Sequence, residues 1–259
     1  AEGGQTLSTA PILSVKSVCK NFGGLQAVQD LSLDVLPGQV YGLIGPNGAG
    51  KTTVFNLITG VHPCSQGSIQ FGAAELTRLK PYQIVRRGVA RTFQTIRLFQ
   101  NLTTWEHVLV GQNVPARLSR EGRFSAGRVQ KKHLKEEAER ILRLLGLWEV
   151  RSGKASNLPY GIQRKVEIAR ALATRPRLLL LDEPAAGLNI QETEDLLKTL
   201  HKIGEMGITL LIIEHDMRVI MGICHHIFVL NFGQKIAEGA PGQIRANEQV
   251  IEAYLGRET

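Results

Sequence analysis

Cysteine is scarce in this chain. Three residues among 259, Cys19, Cys64 and Cys224, are too few and too far apart to frame a disulfide scaffold, and no two form a CxxC metal or redox pair. A reducing compartment suits such a sequence. Long hydrophobic runs are missing as well. The longest charge-free apolar stretch, Val219 to Gly233, is too short to span a bilayer and carries His225 and His226 in its middle. The first ten residues, Ala1 to Ala10, have neither a basic region nor an apolar core, so they read as a flexible lead-in and not as a signal peptide. There is no internal repeat, heptad array or low-complexity tract. Hydrophobic residues at 43% and charged residues at 21% exclude a disordered chain, and the length can bury a full core. Lys and Arg number 31 against 23 Asp and Glu, a net charge of +8. That excess raises two partner classes, nucleic acid and an anionic membrane face, without choosing between them.

Strand-like and helix-like segments alternate, which predicts an α/β fold with a largely parallel sheet. Ile12 to Val18, Leu31 to Leu36, Val40 to Ile44, Gly67 to Phe71, Leu178 to Leu181 and Ile208 to Ile213 read as strands. A helix is expected from Lys51 to a C-cap at Gly60, and another over Glu192 to Lys202. From about Thr95 to Gln163 the pattern is helical, with Val129, Leu134, Ala138, Ile141, Leu142 and Leu145 able to share one face. The basic stretch Arg117 to Lys135 reads as a solvated helical face, with contact to anionic headgroups as the alternative.

The most specific signal is Gly45-Pro46-Asn47-Gly48-Ala49-Gly50-Lys51-Thr52, which fits the phosphate-loop pattern GxxxxGK[ST]. Glycines let successive backbone N–H groups surround a phosphate, and the following helix presents its positive end to the same anion. Lys51 would reach the β- and γ-phosphates, and the Thr52 hydroxyl would hold Mg²⁺. A second signal is Asp182-Glu183 at the end of four leucines, a strand expected to be buried on both faces. Its C-terminal end lies where open α/β sheets bind ligands. There Asp182 would orient Mg²⁺ through a water and Glu183 would polarise the water attacking the γ-phosphate. His215 follows the strand ending at Ile213 by two residues and so reaches the same rim. The other six histidines read as structural, since His225 and His226 lack helical ligand spacing.

In this order the motifs resemble those of an ABC-transporter ATP-binding subunit. Arg91-Thr92-Phe93-Gln94 stands where that family has its Q-loop, Leu158-Pro159-Tyr160-Gly161-Ile162-Gln163 where it has its signature, Ala185 to Asn189 where it has its D-loop, and Glu214-His215-Asp216 where it has its H-loop. Phe22 is similar to the aromatic that stacks on adenine, a core phenylalanine being the alternative. The resemblance implies a P-loop NTPase core at about residues 12–94 and 164–256, a helical subdomain inserted at about 95–163, and a lead at 1–11. It further implies ATP contacts from Phe22, from Gly45 to Thr52 with Thr53, and from Tyr160 and Gly161. Mg²⁺ would fall to Thr52, Gln94 and Asp182, and catalysis to Glu183, His215 and Gln94.

Within the family, Phe22 to Val28, Ile96-Arg97-Leu98-Phe99, Ala185-Ala186-Gly187-Leu188-Asn189 and Ala253-Tyr254-Leu255-Gly256 resemble the ATP-binding proteins of branched-chain amino acid importers, whose relatives also carry urea and other amino acids. That resemblance implies an ATPase at the cytoplasmic face of the membrane, attached to two permeases and a second ATPase, with a periplasmic binding protein outside and no nucleic acid. The Leu98-Phe99 pair is a candidate permease contact, with ordinary core packing as the alternative. The sequence departs from the usual LSGGQ signature: Pro159 replaces the serine, Tyr160 the first glycine and Ile162 the glutamine. Proline offers neither hydroxyl nor N–H to the γ-phosphate on the opposite subunit. Losing one or two such bonds, at about 1.5–3 kcal/mol each, would weaken that composite site. An asymmetric heterodimer is therefore expected, with Pro159 suited to the first turn of the following helix. Asn189, where many relatives carry aspartate, bears on communication between the sites. Rival readings are a soluble ABC ATPase on nucleic acid or ribosomes, an exporter ATPase of the same fold, and a P-loop GTPase or small kinase. The last lacks any Asn-Lys-x-Asp guanine motif here.

Overall fold

Two sheets with helices between and outside them make up the chain in a computed structural model that describes residues 10–118 and 128–255. Elements are numbered in chain order. The first sheet begins with a hairpin: β1 (Leu13–Phe22) and β2 (Leu25–Val35) are joined by Gly23-Gly24, with Gly23 at φ 57°. A two-residue loop of this kind needs positive φ and returns the chain antiparallel, because a parallel return requires a long crossover. β1 also pairs antiparallel with β4 (Gln66–Phe71), which pairs with β5 (Ala74–Glu75), in the order β2-β1-β4-β5. The expectation of a largely parallel sheet is thus corrected for the N-terminal strands.

It holds for the second sheet, ordered β10-β9-β3-β8-β7-β6. Here β3 (Val40–Ile44), β6 (Val89–Arg91), β7 (Leu178–Asp182), β8 (Thr209–Ile213) and β9 (His226–Asn231) run parallel, and β10 (Gln234–Gly239) returns antiparallel from β9. All five residues of β7 are buried. Leu178 and Leu180 pack towards the first sheet, together with Phe55 and Ile58 of α1 (Lys51–Ile58), whereas Leu179 and Leu181 face the opposite cluster with Leu196 and Leu200. Period-two alternation divides one leucine run between two cores. Each leucine so buried contributes about 1.5–3 kcal/mol.

The helix from Lys51 ends at Ile58, with Thr59 as its C-cap and Gly60 just beyond at φ 69°. α6 (Ile190–Glu205) begins two residues earlier than expected because Asn189 and Glu192 form a capping box, the Asn189 side chain accepting from the Glu192 N–H at 2.9 Å. The middle of the chain is less helical than its pattern suggested. Short α2 (Pro81–Arg86) precedes it, and it holds α3 (Thr104–Leu118), α4 (Arg128–Leu144) and the start of α5 (Tyr160–Leu172). Residues 95–103 are mostly irregular and 145–159 mostly turns, with one 3-10 turn at Ala155–Asn157. Along α4 and just past it, Ala138, Ile141, Leu142 and Leu145 are buried and Leu134 is half-buried. Val129 and residues 117–131 of the basic stretch lie outside the described side chains; Lys132 and Lys135 are exposed. Three helices complete the chain: α7 (Met217–Ile223), α8 (Pro241–Arg245) and α9 (Glu248–Leu255). No described helix is long and apolar enough to cross a membrane.

Candidate active site

Four neighbouring parallel strands end at one rim. In the order β3-β8-β7-β6 they run into Gly45-Pro46, Glu214-His215, Glu183 and Thr92-Phe93-Gln94 respectively. Residues more than a hundred positions apart in sequence are brought together in this way, at the ligand-binding edge of an open α/β sheet.

The glycines of the phosphate loop are where they are for steric reasons. A Cβ on Gly45 would overlap the Leu230 carbonyl, and one on Gly50, at φ 99°, would sit 2.6 Å from the Ala27 oxygen. Lys51 is buried, and its ammonium donates to the Gly45 and Pro46 carbonyls at 2.6 and 2.9 Å. Burial holds its pKa below the ordinary lysine value, offset by the charges of Glu183 and Asp182. Over the loop lies a cavity of about 510 Å³, lined among others by Phe22, Asn47, Lys51, Thr52, Thr53 and Glu183. Phe22 is 41% exposed, with its ring edge-on to His62 and the Lys20 ammonium 4.8 Å from its centroid. It is therefore a rim residue of the cavity, not a core phenylalanine.

Asp182 is ion-paired. Its Oδ2 accepts from Arg91 Nη2 at 2.6 Å, with both side chains almost fully buried, while Arg91 Nη1 donates to Asn56 Oδ1 at 2.7 Å. Next to it Glu183 takes a left-handed backbone at φ 47°, unusual for a side chain of its size. The Glu183 N–H donates to the Ile213 carbonyl at 2.9 Å, which ties the turn to β8. Strain of this kind is held by surrounding structure and concentrates at functional sites. The Glu183 carboxylate meets both other candidates: Gln94 Nε2 donates to Oε2 at 2.6 Å, and His215 Nδ1 lies 3.4 Å from Oε1. Behind His215, the buried Glu214 carboxylate accepts from the Ala185 N–H at 2.7 Å and from the His215 N–H at 3.2 Å. Burial raises its pKa, and these N–H groups oppose the shift.

Tyr160 and Gly161 stand apart from this group and do not line the cavity. Tyr160 is 45% exposed, and its ring covers Gly187, where a Cβ would come within 3.2 Å of it. Gly161 is buried, and a Cβ there would lie 2.7 Å from Glu192 Oε1. Pro159 precedes the helix instead of entering its first turn: it is the extended N-cap of α5 at φ −53° and ψ 150°, with its carbonyl accepting from Ile162 and Gln163 at 3.0 Å.

The profile of the ABC transporter family matches residues 28–186, well over half of the chain. The chain belongs to the ABC transporter ATP-binding family. A second profile, branched-chain amino acid ATP-binding cassette transporter, matches residues 234–259. Among its relatives is the high-affinity branched-chain amino acid transport ATP-binding protein BraF of Pseudomonas aeruginosa, 46% identical over 95% of this chain and 98% of that one. LivG of Escherichia coli, of the same description, is 45% identical over 95% and 98%. A solved nucleotide-free ATP-binding cassette from an ABC transporter superposes with a TM-score of 0.83 at 32% identity, covering 95% of this chain and all of the other. The ADP conformation of the cassette MJ1267 gives 0.82 at 32%, covering 96% and all of it.

Gln94, Glu183 and His215 thus meet beside the loop Gly45–Thr52, and Tyr160 and Gly161 lie outside the cavity over it. Sequence reasoning gave no role to four buried or nearly buried charged residues: Arg91 and Glu214, quoted only as parts of motifs, and Arg164 and Glu167, which bond the backbone of Phe93 and Gln94. Their burial is a tertiary fact, and nothing in the local pattern distinguishes them from surface charges.

Proposed function

We propose that this chain binds and hydrolyses ATP to power uptake of branched-chain or related amino acids, as the peripheral ATPase at the cytoplasmic face of a membrane transporter. The observation that carries the site assignment is the meeting of Gln94, Glu183 and His215 beside the phosphate loop. The names of its relatives support the transported class.

In this reading the backbone N–H groups of Gly48 to Thr52 cradle the β-phosphate, and Lys51 exchanges its two loop carbonyls for phosphate oxygens. Phe22 stacks against adenine. Thr52, Asp182 and Gln94 offer hard oxygen donors of the kind that suits Mg²⁺, which when bound supplies neutralisation of phosphate charge. Glu183 accepts a proton from the attacking water, and His215, in contact with that carboxylate, holds it in place and steadies charge at the γ-phosphate. Tyr160 and Gly161 act on the nucleotide of a second ATPase that closes against this one, residues 95–163 forming the helical subdomain that carries them. With proline in place of the signature serine, the site served by this chain's signature is the weaker of two in a heterodimer. Two permeases complete the complex inside the membrane, and a periplasmic binding protein delivers substrate.

The test is purification of the chain from gently solubilised membranes with whatever accompanies it, identification of the companions by mass, and ATP-driven leucine uptake by the reconstituted assembly. A second, different ATPase, two permeases and uptake that stops without ATP are expected. Recovery with ribosomal proteins or nucleic acid, or with one exporter-like membrane protein, overturns the reading.

A further inference from the structure

We propose that Arg164 is a positioning residue that binds the backbone of the Q-loop to the signature helix, so that Gln94 and the start of α5 move as one unit. Three side chains at helical spacing on α5 grip the segment 93–97. Arg164 donates from Nη1 to the Phe93 carbonyl at 2.7 Å and from Nη2 to the Gln94 carbonyl at 2.8 Å. Glu167 Oε1 accepts the Phe93 N–H at 3.3 Å, and its Oε2 accepts from Arg164 Nη1 at 3.0 Å. Arg170 donates to the Arg97 carbonyl at 2.6 Å. Residues three apart on a helix share a face, so all three reach the same strip of loop. The same Nη2 of Arg164 also donates to the Tyr160 hydroxyl at 3.2 Å, inside the signature itself.

The burial of the Arg164–Glu167 pair is weak evidence for a stabilising role. Arg164 and Glu167 are 0% and 1% exposed, and Arg164 Nε is buried without a partner. A buried ion pair of this kind is often replaced by apolar residues with no loss of stability. Its particular effect is geometric: a planar guanidinium spanning two successive carbonyls fixes the orientation of the peptide that carries the Gln94 side chain. Gln94 in turn reaches Glu183 at 2.6 Å. A shift of Gln94 on nucleotide binding is therefore passed through Arg164 to Tyr160, and from there to the site on the opposing ATPase.

The inference rests on the assignment of Gln94 to ATP hydrolysis, and the experiment separates the two. In the complex purified from membranes, wild type is first shown to hydrolyse ATP; failure here refutes the proposed function before any variant is compared. Arg164→Lys, whose ammonium lacks the planar fork, is then expected to lower kcat by about tenfold or more with KM for ATP changed less than about threefold. In a Gln94→Ala background the same substitution is expected to change kcat by less than about twofold, because the residue it acts through is gone. Losses that multiply in the double variant, or a change confined to KM, overturn the proposal. If Arg164→Lys fails to fold, Arg164→Met/Glu167→Leu decides: a folded protein with faster hydrogen exchange at the Phe93 amide and lowered kcat supports it, and unchanged kcat overturns it.

Discussion

Gln94 and Glu183 share a hydrogen bond of 2.6 Å although 89 residues separate them in the chain. They meet because β6 and β7 are adjacent and parallel, so both strands end on one side. The same carboxylate has His215 at its other oxygen, 3.4 Å away. If Glu183 is the base, Glu183→Gln keeps the shape of this contact and removes the proton acceptor. Phosphate release should fall by about 10²–10⁴-fold while ATP binding, followed by a fluorescent analogue, is retained. Hydrolysis within a few-fold of wild type would remove Glu183 from the role of base.

Arg91→Met takes away the guanidinium that is ion-paired with the buried Asp182 carboxylate. Side chains that are 5% and 3% exposed have little solvent to compensate. The loss on denaturant unfolding is expected to be about 3–5 kcal/mol. A loss below about 1 kcal/mol would mean that Asp182 finds other partners.

Gly161→Ala brings a methyl group within 2.7 Å of Glu192 Oε1, the side chain that closes the cap of α6 by accepting the Asn189 N–H at 3.0 Å. Displacing Glu192 should cost about 1 kcal/mol, a fall in Tm of about 2–4 °C. Glu192→Ala should show a similar fall. Much less of it should appear when Gly161→Ala is added to Glu192→Ala, because the clash partner is then absent.

Glu214 provides a pH test. Burial raises its folded pKa above the unfolded value, so the unfolded chain ionises first as pH rises. The stability from this difference is complete below the unfolded pKa and is lost as pH climbs through the folded one. Glu214→Gln has no such term. Its stability relative to wild type should therefore improve as pH rises from about 4, the ordinary glutamate range, through the higher folded pKa. A constant difference across that range would show that the hydrogen bonds from Ala185 and His215 cancel the effect of burial.

If the two ATP sites of the proposed heterodimer are unequal, disabling them has unequal effects. Lys51→Ala in this chain should reduce ATPase activity of the assembled complex by at least tenfold, an effect of the size expected for losing a charged phosphate contact. The corresponding change in the partner should do less. Equal losses would end the case for a weak Pro159 site.

The sequence alone determined the elements whose signals are local. A phosphate loop is legible because GxxxxGK[ST] is set by steric demands on consecutive residues. β7 is legible because four leucines cannot be left in water, and α1 because its start and stop residues flank it. Positions just after apolar strands make Glu183 and His215 candidates, and the family resemblance adds Gln94. The hairpin turn at Gly23-Gly24 and the capping box of Asn189 with Glu192 are local signals of the same kind. Other facts needed the fold. That Asp182 is held by Arg91, that Arg164 clasps the Phe93 and Gln94 carbonyls, and that Phe22 borders the cavity all depend on strand order and burial. Charged residues have the same local pattern on a surface as inside a core. Only long-range packing, by removing water from around them, turned Arg91, Arg164, Glu167 and Glu214 into fixed parts of the site.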